Sequence, residues 1–150
     1  MNDDSLRADV KEYFNGSIKA WGLIQDWRKR PVHRFEINMI GEWDGDTGVL
    51  KEDYSYYNGK TQHREWSIKK ISDHKYEGRA DDLIQKARGE TDGYTIHWNY
   101  VMDVPVDHKT YRIYFDDWMY LMKDGVMINR SYLKKFGITV AELTIFMQKK

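Results

Sequence analysis

The stretch YRIYFDDWMYLMKDGVMINRSYL (residues 111–133) decides the fold class. From 111 to 121 the odd positions are apolar apart from Asp117, whereas the even positions are mostly polar. Alternation with a period of two indicates a β-strand with one apolar face. Asp124 and Gly125 follow, a pair that favours tight hairpins because both central residues of such turns need positive φ. The stretch is therefore predicted to be a β-hairpin.

The same pattern recurs along the rest of the chain, where turn signals separate alternating segments. Short links make consecutive strands antiparallel neighbours, and a long meander tends to close because closure removes its exposed edges. We predict one all-β domain over 1–150, an antiparallel up-and-down barrel of about 8–10 strands, with a two-sheet sandwich as the competing fold. The predicted strands are 18–25, 32–43, 48–57, 61–70, 75–80, 83–89, 94–104, 110–122, 126–133 and 138–148.

One short N-terminal helix is predicted at about residues 4–14, where apolar residues recur at helical spacing. Asp4 or Ser5 is the expected capping residue, since both side chains can accept a hydrogen bond from the first helical turn. The helix is expected to lie across one end of the barrel.

The composition excludes several classes of function. The 150 residues carry 24 basic and 24 acidic side chains, so the basic footprint of a nucleic-acid-binding protein is missing. The chain has no cysteine, and its five histidines lack ligand spacing, so neither a metal site nor a cofactor is predicted. No segment reaches the roughly 18 apolar residues of a transmembrane helix, so no membrane span is predicted.

Charged residues on the predicted inward faces form the candidate site, because charges are costly to bury without partners. If a bulge turns both apolar faces of the third and fourth strands inward, Glu52 and Arg64 become diagonal neighbours and form a charge-assisted pair. Asp117 is predicted to face inward and Asp116 outward, with Arg130 as a candidate cross-barrel partner of Asp117. The inward polar set is Glu52, Arg64, Asp117, Arg130 and Glu142, with Asn129 adjacent.

Three interpretations of this set are open. The charges satisfy one another and fix the strand register, or they form the polar end of a ligand pocket at a barrel mouth. In the third interpretation, a carboxyl with a raised pKa serves as an acid or base. Tryptophans within strands are better explained by core packing than by the lining of a pocket. The candidate ligand-binding residues are Glu52, Arg64, Trp66, Trp98, Tyr100, Asp117, Trp118, Asn129, Arg130 and Glu142.

Several stretches resemble a known family, and the most specific is FDDWMYL (115–121) followed by NR (129–130). Others are RFEINMIGEWDGDTGVLKEDYSY (34–56) and HWNYVMDVPVD (97–107). On these residues the chain resembles the DUF3833 family of uncharacterised bacterial proteins. The resemblance implies a lipocalin-like, or calycin, barrel and supplies no catalytic residue. It also implies a place in the cell envelope or periplasm if a leader was removed, and in the cytoplasm otherwise.

The leading functional hypothesis is a binding protein for a small apolar or lipid-like ligand. A fatty acid is one example, with Arg64 or Arg130 meeting its carboxylate. The protein is expected to be a monomer or homodimer with no nucleic-acid partner. One alternative is an enzyme acting on a lipid-like substrate, with Asp117 or Glu52 as the proton shuttle. The other is an envelope scaffold that binds no ligand and has a filled core.

Overall fold

The fold is a closed barrel of ten antiparallel strands in up-and-down order. The computed structural model describes residues 5–106 and 108–150, without the side chain of Val106. Each strand pairs with the next along the chain, and the first pairs with the last, so the predicted barrel is confirmed and the sandwich is not formed. The elements are α1 (Val10–Tyr13), β1 (Gly16–Asp26), β2 (Pro31–Asp44), β3 (Thr47–Tyr56), β4 (Thr61–Ser72), β5 (Lys75–Arg79), β6 (Ala87–Asp92), β7 (Thr95–Val106), β8 (Lys109–Leu121), β9 (Val126–Lys135) and β10 (Ile138–Lys149).

Two predicted boundaries are wrong. The sixth strand is not 83–89 but Ala87–Asp92, because its buried positions are small residues that give no apolar alternation. The helix starts at Val10, and its cap is Asp9, whose side chain accepts a hydrogen bond from the backbone N–H of Glu12 at 3.2 Å. Ser5 therefore does not cap it, and Asp4 lies outside the described residues. No helix in the described ranges is long and apolar enough to cross a membrane.

Helix α1 covers one end of the barrel, which we call the closed end. Its buried residues Val10 and Tyr13 join the core that fills this end. The Tyr13 hydroxyl donates to the carbonyl of Gly125 in the β8–β9 turn at 2.9 Å. The Trp43 indole N–H donates to the carbonyl of Phe14 at 3.2 Å. The opposite end, reached by the β1–β2, β3–β4, β5–β6, β7–β8 and β9–β10 links, is the open end.

Two glycines let large rings lie flat against the inner wall. Gly22 pairs with Phe35 and Gly89 pairs with Trp98 across neighbouring strands. A Cβ added at Gly22 would lie 2.3 Å from the Phe35 ring, and one at Gly89 would lie 2.8 Å from the Trp98 ring. Because neither glycine has a side chain, the rings fold onto the sheet instead of projecting across the barrel. This packing leaves space inside.

Candidate functional site

The barrel encloses a cavity of about 720 Å³ between α1 and the open end. This volume lies within the range of about 300–1,000 Å³ that is usual for small-molecule sites. Most of its wall is apolar, as such sites require. Examples of the wall residues are Phe35, Ile37, Met39, Ile68, Trp98 and Phe115.

Glu52 and Arg64 lie directly opposite each other on β3 and β4, and both line the cavity. The hairpin loop between these strands decides this register. The N–H of Tyr56 donates to the carbonyl of Lys60 at 2.8 Å, which leaves a three-residue loop with Gly59 at a φ of +93°. Compared with a two-residue loop, the third residue shifts the pairing by one position, so that the apolar faces of β3 and β4 both point inward. The predicted inward orientation is therefore confirmed, although the two residues are direct rather than diagonal neighbours.

The Glu52 carboxyl is buried among hydrogen-bond donors. One oxygen accepts from the Tyr54 hydroxyl at 3.2 Å and from the Trp66 indole N–H at 3.2 Å. A guanidinium nitrogen of Arg64 lies 3.7 Å from the same oxygen. Burial raises the pKa of Glu52 above its ordinary value of 4.5, and the charge of Arg64 opposes this rise. Glu52 is thus a buried acid with only a partial counter-charge.

Arg64 has its principal partner in Asp82, in the β5–β6 loop. Two guanidinium nitrogens donate to the two carboxylate oxygens at 2.9 and 2.7 Å, which is a bidentate pair. The guanidinium also lies over the Trp66 ring, 4.9 Å from its centroid. Asp82 was not among the predicted site residues, since it precedes a segment predicted to be a strand. The only sequence signal was a pair of acids, 81–82, beside apolar residues.

Asp117 forms the second buried acid of the cavity. Its carboxylate accepts a hydrogen bond from the side-chain amide of Asn129 at 2.5 Å, and that amide also donates to the carbonyl of Trp118 at 2.9 Å. Burial raises the pKa of Asp117 from 3.8 to about 7, and the charge of Glu52 adds to the rise. No described cation forms an ion pair with Asp117, so the Asp117–Arg130 pair suggested from the sequence is not formed.

Three predicted site residues lie on the outside of the barrel. Arg130 is exposed and lies opposite Trp118 in the strand pairing. Trp118 stacks on His97 with ring centroids 3.6 Å apart. Glu142 is buried but lies on the outer face, where it pairs with Lys29 of the β1–β2 turn. The predicted inward orientation of Arg130 and Glu142 is wrong because both faces of β9 and β10 carry apolar residues, and the outer faces were taken for the inner ones. Trp118 lies on the outer face of β8, so it does not line the cavity as a ligand-binding residue would.

Four other predicted site residues lie in the cavity wall. Trp66, Trp98, Tyr100 and Asn129 line the cavity, where their binding role stays a prediction. Tyr100 stacks on Phe115 with centroids 4.9 Å apart.

Asp116 faces outward, as predicted, and accepts hydrogen bonds from His97 at 2.6 Å and Lys134 at 3.3 Å. Burial raises the pKa of Asp116, but these bonds outweigh it and hold the pKa below its ordinary value.

Comparison with known proteins places the chain in a family. No curated protein matches it. A family described as a protein of unknown function (DUF3833) matches residues 1–149, which is nearly the whole of the 150-residue chain. The chain therefore belongs to the DUF3833 family.

Proposed function

We propose that the protein binds a small apolar or lipid-like ligand inside the barrel, in the manner of the lipocalin-like proteins that the sequence resemblance implies. One observation carries the proposal: a cavity of about 720 Å³ with an apolar wall that is open at one end. Sites of this kind combine apolar surface with a few placed polar groups. A filled core, as expected for a scaffold, is not present between α1 and the open end.

The polar groups of the cavity favour a particular kind of head group. Arg64 is bound to Asp82 through two hydrogen bonds, and Arg130 lies outside, so neither offers a free cation to a ligand carboxylate. Glu52 and Asp117 instead present carboxyl oxygens to the cavity. The proposed ligand therefore has an apolar body and a polar end that donates hydrogen bonds, such as a hydroxyl, amide or amine.

The test is competition against a neutral polarity-sensitive dye, N-phenyl-1-naphthylamine, followed by its fluorescence. An alkyl alcohol, an alkyl amine and an alkyl carboxylate of one chain length serve as competitors. We expect the alcohol and the amine to displace the dye at concentrations at least ~10-fold lower than the carboxylate, because the cavity already holds an excess of acids. Native mass spectrometry of the purified protein, followed by solvent extraction, identifies any ligand that copurifies.

Two variants on the paired strands β8 and β9 distinguish the contribution of the inner wall from that of the outer wall. Asp117→Leu should weaken binding of the alcohol and the amine, while Arg130→Met on the outer face should leave it unchanged. Failure of the dye to bind, or equal effects of the two variants on binding, would contradict the proposal. If the carboxylate is the strongest competitor, the assignment of the head group is wrong.

A second function is supported by Asp117 alone. A carboxyl with a pKa of about 7 that faces an open cavity is suited to accept and donate protons near neutral pH. The corresponding reaction is proton abstraction next to a carbonyl group of a lipid-like substrate. Incubation of a long-chain ketone with the protein in deuterated water, followed by mass spectrometry, measures the exchange. Exchange that is absent, or that persists in Asp117→Asn, rules out this function.

A further inference from the structure

The open end carries exposed apolar side chains on three turns, which together we call the rim: residues 27–30, 57–60 and 134–138. Phe136 is 90% exposed, Trp27 66% and Tyr57 55%. Ile138, next to Phe136, is 67% exposed. Exposed aromatic and aliphatic side chains gathered at one place indicate an interaction surface more strongly than the same residues scattered singly.

The three turns of the rim are neighbours on the barrel. Strand β10 pairs with β1, and Asp26 lies opposite Ala141 near the β1–β2 and β9–β10 turns. The β3–β4 turn contacts β2, the neighbouring strand on the side of the β1–β2 turn, because the N–H of Tyr57 donates to the carbonyl of Arg34 at 3.0 Å. The apolar side chains therefore form one arc along the mouth of the cavity.

Phe136 occupies a turn position whose backbone conformation favours a different type of residue. Lys135 pairs with Ile138, so Phe136 and Gly137 are the two central residues of the β9–β10 turn, with φ values of +53° and +76°. A turn with both values positive favours Asn or Asp at the first position, and a bulky residue there is strained. At 90% exposure, Phe136 gains almost no packing in return. Such an outlier points to a role for the exposed ring itself.

Charge differs between the rim and the turns of the closed end. None of the three rim turns contains an acidic residue, although Asp26 and Glu142 at the edge of the rim pair with Arg30 and Lys29. At the closed end, the turns 45–46, 73–74 and 122–125 each contain an aspartate. Within the rim, the Arg28 guanidinium lies 4.6 Å from the centroid of the Trp27 ring, and the Lys135 ammonium lies 4.7 Å from that of Phe136. Lys60 is exposed in the β3–β4 turn. The rim thus interleaves cations with aromatic rings, although the chain has no net charge.

We propose that the rim docks on the surface of a membrane containing anionic lipids, with the mouth of the cavity facing the bilayer. Aromatic side chains favour the membrane–water interface, and neighbouring Lys and Arg are attracted to anionic headgroups. A second copy of the chain is a poorer partner, because a symmetric contact through this surface would bring two basic rims together. Docking is separate from the proposed ligand binding, since it requires no occupant in the cavity.

Cosedimentation of the full chain with vesicles tests the docking. We expect binding to vesicles of phosphatidylcholine with phosphatidylglycerol, weaker binding at high salt, and little binding to phosphatidylcholine alone. The double variant Trp27→Ser with Phe136→Asn should bind at least ~10-fold more weakly. Because Asn suits the turn at position 136, loss of folding would not explain this result. Ile40→Thr, on the outer wall where Ile40 is half exposed, is the matched control and should bind as the wild type does.

Charge and orientation are tested separately. Arg28→Gln with Lys135→Gln should weaken binding roughly fivefold for each cation removed. The chain has no cysteine, so a single cysteine can carry a polarity-sensitive dye at Lys60 or, at the closed end, at Asp73. Vesicles should shift the emission of the dye at position 60 to the blue and leave that of the dye at position 73 unchanged.

Three results would overturn the docking proposal. They are equal binding to both vesicle types, unchanged binding of the rim variants, and rim variants that abolish a dimer instead of vesicle binding. Asp117→Leu, which alters the cavity wall and not the rim, should bind vesicles as the wild type does, so failure of the ligand proposal alone leaves the outcome of these assays unaffected.

Discussion

Asp117 is expected to make the barrel less stable as the pH rises from about 4 to about 7. Burial raises the pKa of its carboxyl from 3.8 to about 7. Between these values the unfolded chain has lost the proton and the folded protein still holds it, so the free energy of unfolding falls as the pH rises. At 1.36 kcal/mol for each tenfold change in proton affinity, the total fall is about 4 kcal/mol. The contribution is complete below about pH 4 and lost above about pH 7.

Urea unfolding of the wild type and of Asp117→Asn at a series of pH values measures this contribution. The variant removes the titrating group but keeps an oxygen that accepts from the Asn129 amide, which lies 2.5 Å from the native carboxylate. The free energy of unfolding of the wild type minus that of the variant should fall by about 4 kcal/mol between about pH 4 and pH 8. Taking this difference cancels the titration of groups that do not interact with Asp117, such as His63.

Asp116→Asn is the matched control, one residue away on the outer face. The pKa of Asp116 is held below its ordinary value of 3.8, so its stabilising contribution is complete above that value and is lost only as the pH falls through the lowered pKa. The corresponding difference for Asp116→Asn should therefore be nearly flat between about pH 5 and pH 8. Parallel curves for both variants, or a carboxyl carbon resonance of Asp117 that titrates near pH 4, would refute the reasoning.

Two further predictions concern the wall and the closed end. Gly22→Ala places a Cβ 2.3 Å from the Phe35 ring and should lower the free energy of unfolding by about 1–3 kcal/mol. Gly78→Ala, whose nearest neighbour is 3.4 Å away, should be neutral or slightly stabilising in the same urea assay, and equal losses for both would contradict this account. Asp9→Ala removes the α1 cap and the acceptor of the Tyr76 hydroxyl. It should lower the free energy of unfolding, measured by thermal unfolding, by about 1–2 kcal/mol. Asp9→Asn should retain most of this free energy of unfolding, because the asparagine side chain can also cap the helix. A loss as large as that of Asp9→Ala would contradict the capping role.

The barrel could be predicted from the sequence because its signals are local. In β8 the inner face, with Ile113 and Phe115, is clearly more apolar than the outer face, so the position of Asp117 was predicted correctly. In β9 the alternation is ambiguous. Its outer face holds Ile128, 37% exposed, and its inner face holds Asn129. Hydrophobic periodicity cannot choose between two faces of similar polarity, and Arg130 was placed inside for this reason.

The partner of Arg64 could not be predicted for a different reason. Asp82 lies in a loop, and the position of a loop relative to a strand depends on how the closed barrel arranges both. Glu52 and Arg64 are close in sequence across one hairpin, and their proximity followed from the turn once a change of register was allowed. Contacts within a hairpin are thus predictable, whereas contacts between a loop and the wall require the three-dimensional structure.

The charges that remain inside the barrel are not balanced, and this imbalance distinguishes the Arg64–Asp82 pair from Asp117. Arg64 is shared by Asp82 and Glu52, and its bidentate bond to Asp82 ties β4 to the β5–β6 loop. Among the described residues Asp117 has an amide partner and no cation, so its ionised form destabilises the fold. An apolar residue at 117 would avoid this loss, and natural proteins retain destabilising groups chiefly where function needs them. The Asp117 side of the cavity is therefore where the polar end of a ligand is expected, and the Arg64–Asp82 pair holds the wall in place.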